Sequence, residues 1–273
     1  MNRLVFLLSF LKYSITHPAT GKLLLQSKYQ IWKDSRDKNS IFDYGRKKIE
    51  IDEILKRLFP DVDYSLSNLE QNILHLQNHT HSFFTKLQGE NYPSRAKPYP
   101  TEYMLDNNSG LFLYVLCKLL KPDKIVETGV AYGLSSMYIL QALHENKRGT
   151  LYSIDYAFSP WQSKQMIGAA IPDDLRKNWN FIFGPSSQEL TKLLSSINNI
   201  DVFFHDSFHS FKNMTFEFET TWPYIRRGGF LISDDISGNN AFHKFYSKLN
   251  VSSLILPQKS SHDSFLGILQ KSM

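Results

Sequence analysis

The chain predicts an α/β protein: a doubly wound, mostly parallel sheet that ends in an antiparallel hairpin, behind a helical N-terminal region. Three observations predict it. Ile125-Val126-Glu127-Thr128-Gly129-Val130-Ala131-Tyr132-Gly133-Leu134-Ser135-Ser136 reads as a buried strand running into a glycine turn that opens a helix. Asp155 stands at the carboxyl end of the next short apolar run, Leu151-Tyr152-Ser153-Ile154, about 20 residues on. Two last apolar runs, 252–256 and 265–269, are separated by a polar turn too short for a helical crossover and should pair antiparallel.

Residues 1–104 form the helical extension and linker, with little strand signal. Arg3 followed by Leu4-Val5-Phe6-Leu7-Leu8-Ser9-Phe10-Leu11 imitates a signal peptide. The run is short, Lys12-Tyr13 interrupts it, and no small-residue cleavage site precedes Pro18. It is too short to span a bilayer and reads as a helix packed on the body or on a partner, with membrane-surface contact as the lesser alternative. Residues 49–59 and 69–84 carry apolar positions at helical spacing. Residues 92–100 hold three prolines, which exclude continuous helix and mark the linker before a catalytic body starting near Thr101 and assigned to 105–273.

Within that body a helix over about 108–120 feeds the glycine-turn strand, and helix and strand then alternate as a doubly wound sheet requires. Trp179-Asn180-Phe181-Ile182-Phe183 is the third strand, with the loop Gly184-Pro185-Ser186-Ser187 after it. Asp201-Val202-Phe203-Phe204-His205 is the fourth, followed by a helix whose Phe211, Met214, Phe218 and Trp222 share a face and whose Glu217 and Glu219 read as solvated. Residues 228–233 enter the fifth strand, and 239–249 return as helix.

Composition narrows the function classes. At 273 residues, 42% hydrophobic and 21% charged, the chain suits one full domain with an appendage. The net charge of +5 has no concentrated stripe of the kind a nucleic-acid surface needs, only short clusters such as Arg46-Lys47-Lys48 and Arg226-Arg227. Cys117 is the single cysteine, which excludes an internal disulfide and a cysteine-rich zinc site. The expected compartment is the cytoplasm.

The glycine turn discriminates between cofactors. A dinucleotide fingerprint wants G-x-G-x-x-G around a pyrophosphate. Here Gly129 and Gly133 are four apart, with Glu127 placed to meet a ligand carrying an ammonium group. E-x-G-x-x-x-G resembles the first motif of class I S-adenosylmethionine (SAM)-dependent methyltransferases. That resemblance implies a Rossmann-like seven-stranded methyltransferase sheet over about 105–273. It implies SAM contacts from Glu127, Thr128, Gly129, Gly133 and Ser135, from Asp155 on the ribose, from Tyr156, Gly184 and Ser186 near the adenine, and from Asp206.

Carboxyl ends of strands are where an open α/β sheet binds ligands, so Asp206 after the fourth strand and Asp234-Asp235 after the fifth should converge. A hard cation such as Mg²⁺ would offset their repulsion; the alternative is that Asp234 or Asp235 caps the next helix. Asp206-Ser207-Phe208-His209 with Gly228-Gly229-Phe230-Leu231-Ile232-Ser233-Asp234-Asp235 resembles the metal-dependent catechol and caffeoyl-CoA O-methyltransferases. By that resemblance Asp206, Asp234 and Asp235 are the metal ligands. Asp235 stands where those relatives have asparagine, and His209 where they have the lysine base. The block from His205 to Ser210, with Trp222-Pro223-Tyr224, is also similar to the macrocin O-methyltransferase and cephalosporin hydroxylase-like group, which acts on sugars and natural-product scaffolds.

The expected function is therefore SAM-dependent O-methylation of a small-molecule, phenolic or sugar hydroxyl, with Asp206 and His209 catalytic. His209 is expected to take the hydroxyl proton or, alternatively, to order the loop. A hydroxylase-like or NAD-dependent enzyme of the same fold and a non-catalytic binding module are the rivals. The acceptor pocket is expected from the N-terminal helices and from loops such as 157–178, whose residues either line it or cover the sheet, and the N-terminal helices also offer a surface for homo-oligomerisation.

Overall fold

The computed structural model describes residues 3–36, 41–45, 49–100, 105–249, 251–258 and 264–272, without the side chains of 3–7 and 9. Arg46-Lys47-Lys48 and the domain start near Thr101 lie outside the described residues. The N-terminal part is helical throughout its regular structure: α1 (Arg3–Thr16), α2 (Pro18–Arg36), α3 (Ile51–Leu58), α4 (Leu66–Asn72) and α5 (Leu74–Leu87). The apolar run from 69 to 84 is thus two helices, parted at Ile73. In α3, Asp52 and Glu53 in the first turn and Lys56 and Arg57 in the last complement the helix dipole and pair at i,i+4. Its buried face, Ile51, Ile54 and Leu55, belongs to the same core as Ile73, Leu76, Phe112 and Ile268, so these helices pack into the sheet's own core.

After the linker, Asp106 caps α6 (Asn107–Leu120) by accepting Asn108 N–H at 2.8 Å, and Ser109 to Cys117 are buried without a break. The sheet follows as expected: β1 (Lys124–Thr128), α7 (Leu134–Asn146), β2 (Thr150–Asp155), β3 (Trp179–Phe183), α8 (Ser186–Ile197), β4 (Ile200–His205), α9 (Phe211–Thr221), β5 (Ile225–Ser233), α10 (Ala241–Leu249), β6 (Ser253–Pro257) and β7 (Phe265–Gln270). The order is β3-β2-β1-β4-β5-β7-β6. β1 to β5 run parallel, and the hairpin enters with β7 antiparallel to β5. The chain reverses direction across the sheet between β1 and β4, and the carboxyl ends on either side of that crevice hold the site.

Candidate active site

β1 delivers Gly129 and Gly133 into a turn that glycine alone can make. Gly129 has φ +85, and a Cβ there would stand 2.0 Å from the Asp206 carbonyl; Gly133 has φ +92 and would press Ile171. Asp155 fastens this turn: one carboxylate oxygen accepts Val130 and Ala131 N–H, each at 2.9 Å, and the other accepts Tyr156 N–H at 2.6 Å. Burial raises its pKa and those backbone donors oppose the rise. A carboxylate has about four acceptor sites, so roughly one stays open for a ligand hydroxyl.

A cleft of about 390 Å³ opens beside it, within the usual size of small-molecule sites. Gly129, Asp155, Tyr156, Gly184 and Ser186 line its floor, together with Ser207 and Asn213. Its roof is α2, through Leu23, Leu24, Ser27 and Gln30. Three polar contacts hold that roof: Thr20 Oγ1 to Tyr156 Oη at 2.9 Å, Ser210 Oγ donating to Gln30 Oε1 at 2.6 Å, and Phe211 N–H donating to Asp34 Oδ2 at 2.8 Å. The sequence suggested that N-terminal helices help form a pocket, but it did not single out α2. No local periodicity says which distant surface an amphipathic helix will cover.

Several residues expected at the cofactor do not line this cleft. Glu127 is fully buried and accepts hydroxyls from Ser135, Ser136 and Ser153 at 2.5–2.7 Å, so its carboxylate and Ser135 are turned to each other and away from the cleft. Burial raises the Glu127 pKa against those three donors. Thr128 points beneath the sheet and donates to Glu217. Gly133 is roofed by 168–171, whose Gly168 and Ala170 N–H groups bond to Ala131 and Tyr132. That part of 157–178 therefore covers the turn.

Glu217 corrects another expectation. It is wholly buried, because 214, 217, 218 and 221 form one helical stripe against the sheet. It accepts Thr128 Oγ1 at 2.5 Å, Ser207 Oγ at 2.8 Å and Asn213 Nδ2 at 3.1 Å, and meets His205 Nδ1 at 2.7 Å. Burial works to raise its pKa, but His205 and these donors overcome it and hold the group at about 2. Glu219 is exposed with Lys248, as expected.

Across the crevice, one ligand atom each of Asp206, His209 and Asp234 lies within 4.8 Å of the others. Asp235 does not join them. At φ +46 it is turned outward, exposed, and its carboxylate accepts Ser264 Oγ; it makes no helix cap either. Among the described residues the structure thus brings His209, and not Asp235, to Asp206 and Asp234, although Asp235 stays near enough to act on all three through its charge. Asp234 accepts Gln258 Nε2. Burial and then the neighbouring carboxylates raise Asp206 and push Asp234 up to about 7. Burial and then His205 take His209 down to about 4. Its imidazole is thus neutral, and its buried Nε2 has no hydrogen-bond partner, standing 3.9 Å from Asp206 Oδ1.

Comparison with known proteins bears on the fold and on this region. Residues 126–236, from β1 to just past Asp235, match a family model described as a methyltransferase domain. An O-methyltransferase from Bacillus cereus in complex with SAH (S-adenosylhomocysteine) superposes with TM-score 0.52 at 15% identity, covering 81% of this chain and 97% of that one. The O-methyltransferase TomG from Streptomyces achromogenes, involved in tomaymycin synthesis and in complex with SAM, gives 0.53 at 16%, covering 81% and 96%. The SAH-bound Podospora anserina methyltransferase PaMTH1 gives 0.51 at 17%, covering 81% and 95%. No curated protein matches the chain in sequence. The sheet is that of the class I SAM-dependent methyltransferases, and the chain resembles their O-methyltransferases.

Proposed function

We propose that this protein transfers a methyl group from SAM to a hydroxyl of a small molecule. The observation that carries the reading is the juxtaposition across one crevice: a cleft floored by Gly129, Asp155, Tyr156, Gly184 and Ser186, and beside it the Asp206, His209 and Asp234 cluster. SAM, when bound, supplies an electrophilic methyl on a sulfonium, so the protein's task is to align two centres and exclude water. Asp155 has acceptor capacity left for a ribose hydroxyl, Tyr156 and Phe158 offer rings to the base, and α2 covers one side of the cleft.

The second cluster suits the acceptor. Two carboxylates and one neutral imidazole fit a divalent cation, and the unpartnered His209 Nε2 is the group that argues for one. A nitrogen in the donor set favours an ion such as Mn²⁺ or Zn²⁺ over the all-oxygen preference of Mg²⁺. Such a cation would lower the pKa of an acceptor hydroxyl. His209 as an unaided base is the rival role; the Asp206-to-His209 spacing favours it, whereas an imidazole held near 4 is a weak acceptor at neutral pH.

Isothermal titration with SAM and with NAD in parallel tests the cofactor, supported by native mass spectrometry of the protein as purified. SAM binding without NAD binding, or a retained SAM or SAH mass, is the expected result. NAD binding in place of SAM overturns the reading.

A further inference from the structure

We propose that the α1–α2 hairpin is a docking surface for an anionic lipid bilayer. The chain's charge is not spread as its composition suggests. Six of the 31 lysines and arginines, but only one of the 26 acids, fall in residues 1–36: Arg3, Lys12, Lys22, Lys28, Lys33 and Arg36 against Asp34. This segment therefore carries the whole formal net charge of +5, and the remaining 237 residues are balanced.

The same hairpin concentrates exposed apolar surface. Of the twelve exposed large apolar side chains among the described residues, seven lie on it. Leu8, Leu11 and Ile15 recur at helical spacing on α1, and Leu25, Tyr29 and Trp32 on α2, each between 49% and 79% exposed. Tyr29 stacks on Trp32, and the Arg36 guanidinium lies 4.4 Å over the Trp32 ring. Lys22 and Arg36 bracket that stripe at one helical turn from either end. Apolar and aromatic side chains flanked by basic ones are what an interfacial helix presents to acyl chains and anionic headgroups.

Charge selects among occupants. A second copy would bring the same +5 against this face, whereas an anionic bilayer complements it. Spanning is excluded for these helices: none of the described helices is long and apolar enough, and the 14 residues of α1 reach only about 21 Å of a ~30 Å hydrocarbon core. The inner face of α2 meanwhile roofs the cleft, so a bilayer on its outer face lies one helix diameter, about 10 Å, from the site.

Sedimentation of the full chain with vesicles tests this independently of catalysis. Vesicles of phosphatidylcholine with about 30 mol% phosphatidylglycerol should carry the protein down at ~0.05 M salt and release it at ~0.5 M, while pure phosphatidylcholine should not. Leu25→Glu/Trp32→Glu should abolish pelleting. Lys22→Ser/Lys33→Ser/Arg36→Ser should weaken partitioning about 100-fold, from roughly fivefold per charge. All five positions are exposed, and circular dichroism checks that the variants fold. Wild-type protein left in the supernatant at low salt overturns the proposal, as does a dimer that Leu25→Glu/Trp32→Glu dissociates while no vesicle is bound.

Discussion

The two sides of the crevice treat their carboxylates in opposite ways. On the β1–β2 side, Glu127 has three serine hydroxyls and Asp155 three backbone N–H groups. On the β4–β5 side, Asp206 and Asp234 face each other and a histidine whose Nε2 has no hydrogen-bond partner. The first side is finished by the protein itself and supplies shape. The second is left with concentrated negative charge, an arrangement that costs stability until something positive arrives, as reactive centres do.

The largest test of that contrast lies under the finished side. Glu217→Ala strips the acceptor from Thr128, His205, Ser207 and Asn213 at once and should cost about 3–5 kcal/mol of stability in denaturant unfolding. Because Glu217 titrates at about 2 when folded against 4.5 ordinarily, its contribution is complete above 4.5 and fades as pH falls from there towards 2. The Glu217→Ala protein should therefore lose less stability than wild type across that acid window. Equal pH profiles would show the carboxylate to be dispensable.

On the unfinished side the signs reverse. Asp234→Asn should lower metal affinity and kcat more than about 100-fold, beyond the loss typical of outer-sphere positions, while leaving the melting temperature no lower than wild type. Activity that survives both this change and exhaustive chelation would leave His209 as the base and remove the cation.

Glu217 also shows what was legible in the chain. The succession of strands and helices and the final antiparallel pair could be read because glycine turns, apolar strands and a short final turn are local signals. The stripe Met214, Glu217, Phe218, Thr221 was legible too, yet charge was given more weight than spacing. Asp235 was grouped with Asp234 because adjacency in sequence says nothing of its φ of +46 or of its bond to Ser264. Glu127 was assigned to the ligand because two of its partners, Ser135 and Ser136, lie across a turn and the third, Ser153, comes from the neighbouring strand. The α2 roof had no local signature: its partners Tyr156 and Ser210 are 136 and 180 residues away.

Two smaller substitutions sharpen the comparison. Asp155→Ala should weaken SAM binding by about 1.5–3 kcal/mol by calorimetry, since it removes a charged acceptor and loosens the turn at Val130 and Ala131. Ser136→Ala should cost only about 0.5–1.5 kcal/mol of stability, with SAM affinity unchanged. Loss of affinity without loss of stability would return Glu127 to the ligand.

The span between roof and floor has a temporal side. At translation rates of about 5–20 residues per second, Ser210 is made roughly 10–40 s after its partner Gln30. Through that interval α2 lacks two of its three polar partners, Ser210 and Phe211, and its inner face is only partly covered. The roofed cleft is accordingly among the last features the nascent protein acquires. Any surface that captures the hairpin early competes with the completion of the site, and any that captures only its outer face does not.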